Sequence, residues 1–203
     1  LKKWQINLVA EYRYTDADGN YLYSKLRYEG DGIEGKEIRY GRVIDGEYTS
    51  GKGGAEAELY NVMALKDAIN KGKTIYYVEG EKDVESLKAL GLTAVTAGGT
   101  SDWKKHYVKH FIGAHDVVII ADNDAPGQNL AKKVTADLRS AVFKITVVTP
   151  SAVKHGDVTD WIQDEDGDRD KLFALIKEED PVYASWVTDK GKINPSLLAD
   201  AIL

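Results

Sequence analysis

Apolar side chains recur at every second position from Ile6 through Leu8, Ala10 and Tyr12 to Tyr14, the period of a strand that buries one side. Thr15-Asp16-Ala17-Asp18-Gly19-Asn20 is rich in turn formers, and a strand pattern resumes over residues 21–28. A third strand is expected over 37–44, where Asp45-Gly46 turns the chain again, and the glycine-rich stretch 51–54 reads as a joint. From about residue 55 the period lengthens. Leu59, Val62, Met63 and Ile69 have helical spacing, and Gly72 closes that segment. Short β-rich runs at 74–78, 93–96 and 145–149 then alternate with helical stretches. Val84, Leu87 and Leu90 share a helical face closed by Gly91, and Trp103, Tyr107, Val108 and Phe111 share another. Pro126 opens a helix carrying Leu130, Ala131, Val134 and Leu138. The unbroken apolar run Val117–Ala121 fits a central strand buried on both faces.

Alternation of this kind predicts right-handed βαβ units. The expected fold is α/β, a mainly parallel sheet flanked by helices, preceded by an antiparallel β-rich segment. The expected division is 1–54 for the β-rich part, 55–180 for the α/β domain, and 181–203 for a linker leading into a further domain, with a helix starting near Pro195.

Composition narrows the classes of function. The 203 residues allow one full domain with a smaller appendage. No stretch approaches the roughly 20 apolar residues of a membrane span, and no signal-peptide pattern precedes the first strand, so a cytoplasmic location without a membrane partner is expected. The chain has no cysteine, which excludes disulfides and thiolate metal sites within it. A net charge of −6 argues against a surface that coats nucleic acid as a whole. It leaves room for a local basic groove, or for acids that meet phosphates through metal ions. The opening on Leu1 reads as an excised or processed fragment.

The acids carry the candidate chemistry. Glu79 follows the run 75–78, Asp122 and Asp124 follow 117–121, and Asp157 and Asp160 lie a few residues beyond 145–149. All fall at the carboxyl ends of expected parallel strands, where open α/β sheets bind their ligands. Asp122 and Asp124 are two apart in an extended segment, so their side chains point the same way. Carboxylates crowded together repel and are driven to protonate unless a divalent cation relieves them. For any one acid a helix N-cap is an open alternative, Asp124 before Ala125-Pro126 above all.

These segments resemble a known family. Val78-Glu79-Gly80-Glu81-Lys82-Asp83-Val84 resembles the first TOPRIM motif, and Asp122-Asn123-Asp124-Ala125-Pro126-Gly127 resembles the second, Asp-x-Asp-x-x-Gly. Gly156-Asp157-Val158-Thr159-Asp160-Trp161 is similar to the later acidic motif of primase members. The three occur in order within roughly residues 57–180. With the flanking β-rich segment and Leu59-Tyr60, the chain resembles DNA primases of the phage and plasmid primase–helicase type. The resemblance implies a TOPRIM-type, Rossmann-like fold and Mg²⁺ (or Mn²⁺) as cofactor. It implies synthesis of RNA primers by nucleotidyl transfer from ribonucleoside triphosphates on a single-stranded DNA template, beside a helicase domain or partner. It implies Glu79, Asp122 and Asp124 as catalytic, metal-binding residues, with Asp83 and Asp157 as further acids of the metal site. Asp160 departs from the pattern, because Asp-x-x-Asp stands where bacterial replicative primases have Asp-x-Asp. The zinc-binding module those primases carry upstream is not matched here. Two other readings stay open: a TOPRIM nuclease or topoisomerase-like strand transferase, and a non-catalytic DNA-binding or interaction module of a replication protein.

Lys82, Gly98 and Gly99 are candidates for phosphate or nucleotide contact, the glycines because a loop of backbone amides before a helix can hold an anion. A plain turn is the alternative. Arg39 and Arg42, among the tyrosines of the β-rich segment, are candidates for nucleic-acid or nucleotide contact, against the alternative of a solvated sheet face. His106 and His110, four apart, are better explained by a packing helix than by a metal pair.

Overall fold

The structure is a computed structural model that describes residues 6–30, 35–45, 47–188 and 192–195. It divides into two compact units, Leu1–Met63 and Ala64–Leu203. Residues 55–63 fall with the first. The helix expected over 195–203 lies, apart from Pro195, outside the described residues, as does Gly46 of the expected turn.

In the first unit four strands, β1 (Ile6–Thr15), β2 (Tyr21–Gly30), β3 (Glu37–Ile44) and β4 (Glu47–Ser50), form an antiparallel sheet in chain order. The alternation at its start is not one continuous face. Leu8 pairs with Tyr28 but Ala10 pairs with Arg27, so Val9 is an extra residue, and side chains before it change sides relative to those after it. Ile6 and Leu8 are accordingly exposed, while Tyr12 and Tyr14 are buried. These two pack on Tyr60, and Tyr14 stacks on Tyr23 with centroids 4.7 Å apart.

The second unit is built on a five-stranded sheet. Its strands are β5 (Ile75–Tyr77), β6 (Thr93–Val95), β7 (Asp116–Ile120), β8 (Lys144–Val148) and β9 (Val182–Tyr183), in the order β6-β5-β7-β8-β9. The first four are parallel, and β9 is an antiparallel edge. β7, the continuous apolar run, is central, with Val117 to Ile120 all buried. Around the sheet lie α1 (Val62–Asn70, which starts in the first unit), α2 (Glu81–Ala89), a 3-10 helix (Lys105–Phe111), α3 (Ala125–Leu138), α4 (Val158–Asp164) and α5 (Arg169–Glu178). Gly91, at φ +76°, ends α2 in a Schellman arrangement: its N–H donates to the carbonyl of Lys88 (2.9 Å), and Leu92 N–H donates to that of Leu87 (3.0 Å). Trp103 is fully buried between Tyr77, Tyr107 and Phe111, and its Nε1–H donates to Asp137 (2.8 Å).

Four elements of the second unit differ from the sequence pattern or are new to it. The helix expected over 103–111 is a seven-residue 3-10 helix that begins at Lys105. Its aromatic, His and Val residues are weak α-helix formers, and packing of Tyr107 and Phe111 sets its pitch. α4 and α5 arise beyond 145–149, where the periodicity predicts no further element of the α/β domain. Each is opened by an aspartate, Asp157 and Asp168, that accepts a backbone N–H. β9 has only two residues, too few for periodicity to reveal, and exists through pairing with Lys144 and Ile145.

Candidate functional site

β5 and β7 are neighbours in register, with Tyr77 beside Ile119. Glu79 and Asp122 therefore leave the same sheet edge side by side. The parallel pairing continues just past the strands, with Val78 N–H on Val95 O (3.1 Å) and Ala121 N–H on Val148 O (2.9 Å). Asp124 is the N-cap of α3 and accepts from Gly127 N–H at 2.8 Å. Gly127 presses on Asp122: a Cβ there would lie 2.9 Å from both Asp122 Cβ and its carbonyl oxygen and 3.0 Å from its nitrogen. The glycine of the Asp-x-Asp-x-x-Gly pattern is thus a requirement of close approach. Gln128 Nε2 donates to Asp122 O (3.2 Å) and Thr149 Oγ1 (2.9 Å), tying α3 to the end of β8.

The loop after β8 is folded back onto the second motif. Asn123 N–H donates to Gly156 O, and His155 N–H donates to Asn123 O, both at 3.0 Å. That pairing delivers Asp157 to the edge as N-cap of α4. Its Oδ1 accepts from Asp160 N–H (2.7 Å), and Asp157 N–H donates back to Asp160 Oδ2 (3.3 Å). Asp83, on the first turn of α2, is buried. Its Oδ1 accepts from Thr159 Oγ1 at 2.7 Å and its Oδ2 from Gly80 N–H at 3.3 Å. Ser86 Oγ lies 2.9 Å from Thr159 Oγ1, completing a polar tie between α2 and α4.

The acids feel one another. Burial, then the charges of Asp83, Glu79, Asp157 and Asp124, push the Asp122 carboxyl up to about 8. Burial first and Asp157 second raise Asp83 above the carboxylate range, against the opposing pull of Thr159 and Lys82. One cation sits in the group. Partial burial works against the Lys82 charge, yet Asp157 (3.5 Å), Asp160 (3.2 Å) and Asp83 hold its ammonium above the ordinary lysine range.

A fold and an acidic edge of this form can be compared with known proteins. The family model described as Toprim-like matches residues 76–162, which span all three acidic motifs. The Gene 57 protein of Mycobacterium phage D29 is 35% identical over 106 residues, covering 51% of this chain and 67% of that protein. The chain belongs to the Toprim-like family. Among solved structures, a DNA primase domain from Pseudomonas aeruginosa superposes with a TM-score of 0.63 at 17% identity, covering 84% of this chain and 51% of that one. The Aquifex aeolicus primase, solved as its zinc-binding and RNA polymerase domains, gives a TM-score of 0.63 at 19% identity, covering 85% of this chain and 40% of that one. At these identities the likeness is one of fold, and the chain spans about half or less of each of these two primase structures.

In this Toprim-like unit, five candidates from distant parts of the sequence, Glu79, Asp83, Asp122, Asp124 and Asp157, lie within electrostatic reach of one edge. Asp160 and Lys82 adjoin them through Asp157. The donor set is wholly carboxylate oxygen, the chemistry Mg²⁺ and Mn²⁺ take. Burial first and the neighbouring acids second raise Asp122, and a divalent cation would relieve the part due to the acids. Among the described residues no group of three or more His, Cys, Asp or Glu side chains is placed so as to hold a metal ion.

Gly98 N–H donates to Thr96 Oγ1 (2.9 Å), which itself donates to Glu79 O (2.6 Å). The glycine loop thus anchors Glu79, and a turn at Thr100–Asp102 separates it, with Gly99, from the 3-10 helix, so no helix N-terminus stands behind it. Arg39 and Arg42 belong to the first unit and, three apart on β3, face opposite sides of its sheet. Arg39 pairs with Glu37 (2.6 Å) and lies over the Tyr28 ring, and Arg42 donates to Gly53 O (3.3 Å). Their odd spacing already separated them in the sequence. Two site neighbours went unread there. His155, at φ +65°, places Nδ1 3.4 Å from Asp124 Oδ2, and Thr159 serves Asp83. Neither has a signal in sequence, because each contact joins segments at least 31 residues apart.

Proposed function

We propose that the Toprim-like unit is the nucleotidyl-transfer centre of a DNA primase that makes RNA primers on single-stranded DNA from ribonucleoside triphosphates. The supporting observation is the gathering of Glu79, Asp122, Asp124, Asp83 and Asp157 at the carboxyl edge of a sheet whose fold matches primase cores. Glu79, Asp122 and Asp124 would hold Mg²⁺ or Mn²⁺, with Asp83 and Asp157 shaping the site. The bound ion would neutralise triphosphate charge and activate a hydroxyl. The chain's own residues prepare the edge. Gly127 and the Asp124 cap fix the backbone of Asp122, and the Thr96 bridge fixes that of Glu79. Asp122, with its affinity for a proton raised into the neutral range, can hold that proton on its carboxylate until a cation displaces it. Lys82 limits the negative charge at the Asp157 side. A helicase domain or partner belongs to the same reading, through the resemblance to primase–helicases.

The test is incorporation of labelled ribonucleotides on single-stranded DNA by the full natural protein with Mg²⁺ or Mn²⁺. Incorporation is expected, with a loss of at least about 100-fold in Asp122→Ala/Asp124→Ala. DNA cleavage without incorporation would replace the proposal by the nuclease reading. Neither activity would leave the interaction-module reading in its place.

A further inference from the structure

A cavity of about 540 Å³ in the second unit does not belong to the acidic edge. It opens at the other end of the sheet, among residues that begin strands: Thr74 before β5, Thr93 of β6, Asp116 of β7 and Lys144 of β8. Its floor is apolar and partly aromatic, from Tyr76 and Val118 of the sheet and Phe173 and Ile176 of α5. Thr146 adds a hydroxyl-bearing side chain.

The rim is cationic. Lys144 neutralises the single lining acid, Asp116, at 2.7 Å, and His115 also lies 2.9 Å from that carboxylate. Three cations remain. Lys73 and Lys177 make no ion pair with any described residue, and Arg169 lies over the Phe173 ring at 5.2 Å rather than on a carboxylate. In a chain of net charge −6, three uncompensated cations around one concave site make a local field that attracts anions. A purely apolar ligand would leave that charge unused. A bare inorganic anion would leave the aromatic floor unused. The volume falls in the range of small-molecule sites, about 300–1,000 Å³.

We propose that this cavity binds a nucleotide, its base on the floor formed by Phe173 and Tyr76 and its phosphate held by Lys73, Lys177 and Arg169. The site needs no divalent cation and is separate from the acidic edge. It stands or falls independently of the primase reading.

Calorimetric titration of AMP into the full chain in excess EDTA tests this, with adenosine and inorganic phosphate as the partial ligands. AMP is expected to bind equally to wild type and to Asp122→Ala/Asp124→Ala. Adenosine and phosphate should each bind at least about ten-fold more weakly than AMP. Lys73→Glu/Lys177→Glu should weaken AMP by about ten-fold or more with an unchanged melting temperature, since both side chains are exposed. Arg169→Gln, also exposed, should weaken it in the same direction. The proposal is overturned if AMP fails to bind at millimolar concentration, if phosphate binds as well as AMP, if the lysine reversal has no effect, or if binding disappears in the aspartate variant.

Discussion

Asp122 is held where its charge is unwelcome, half-buried and facing four other acids. Its folded pKa, raised to about 8 from an ordinary 3.8, fixes the sign of a pH effect. Between those values the folded chain keeps a proton that the unfolded chain has released. Stability contributed by this group is therefore present at low pH and lost as pH rises through the window. Asp122→Asn removes the liability. In EDTA at pH 8 it should melt roughly 2–6 °C above wild type, with the gain gone near pH 4. Thermal melts across pH check this, and equal gains at both ends would refute the cause. Thr159 raises a second point at this scale. It gives buried Asp83 its 2.7 Å hydrogen bond, so Thr159→Val leaves a carboxylate oxygen unsatisfied at a cost of about 1–3 kcal/mol. Thr159→Ser should recover most of it in denaturant titrations, and a Ser variant no better than Val would show that methyl packing is the cause.

Helix ends carry two duties in this unit. Asp124 and Asp157 were each legible as an acid at the ligand edge or as an N-cap, and the geometry makes both of them caps that also face the acid group. Substitutions can separate the duties. Asp157→Ala should cost about 0.5–2 kcal/mol from loss of the α4 cap. Asp157→Asn, which keeps an acceptor oxygen but not the charge, should melt near wild type while still losing primer synthesis. If Asn retained full synthesis, Asp157 would be a cap and nothing more. Strands and long helices were readable because their patterns extend over several neighbouring residues, the unbroken apolar run Val117–Ala121 and the helical repeat of the Leu130–Leu138 face among them. α4, α5 and β9 were not, being fixed by caps and edge pairing rather than by repeat, and of the 3-10 helix the sequence showed the helical face but not the pitch.

Across the second unit, charge is separated along the strands: carboxylates gather where the parallel strands end, cations where they begin. A divalent ion at the acidic edge would act on the stability of the whole unit by mass action. At ten times its dissociation constant Mg²⁺ should add about 1.4 kcal/mol at pH 8. The gain should be smaller at pH 5.5, where protons already occupy Asp122, and absent from Asp122→Ala/Asp124→Ala. Melts identical in Mg²⁺ and EDTA would argue against a metal at this edge. What the amino-acid order determined by itself was local. It set the strand and helix periods, the stop at Gly91, the start at Pro126, and the placing of Glu79, Asp122 and Asp124 just beyond strands, because these depend on neighbours along the backbone. Tertiary structure alone decided the rest. The Val9 bulge turned Leu8 outward, the loop at 155–156 paired with Asn123 and brought Asp157 in, and Thr159 met Asp83 across 76 residues. Those contacts join parts of the chain that become neighbours only when the sheet order is set, and no period or spacing records them.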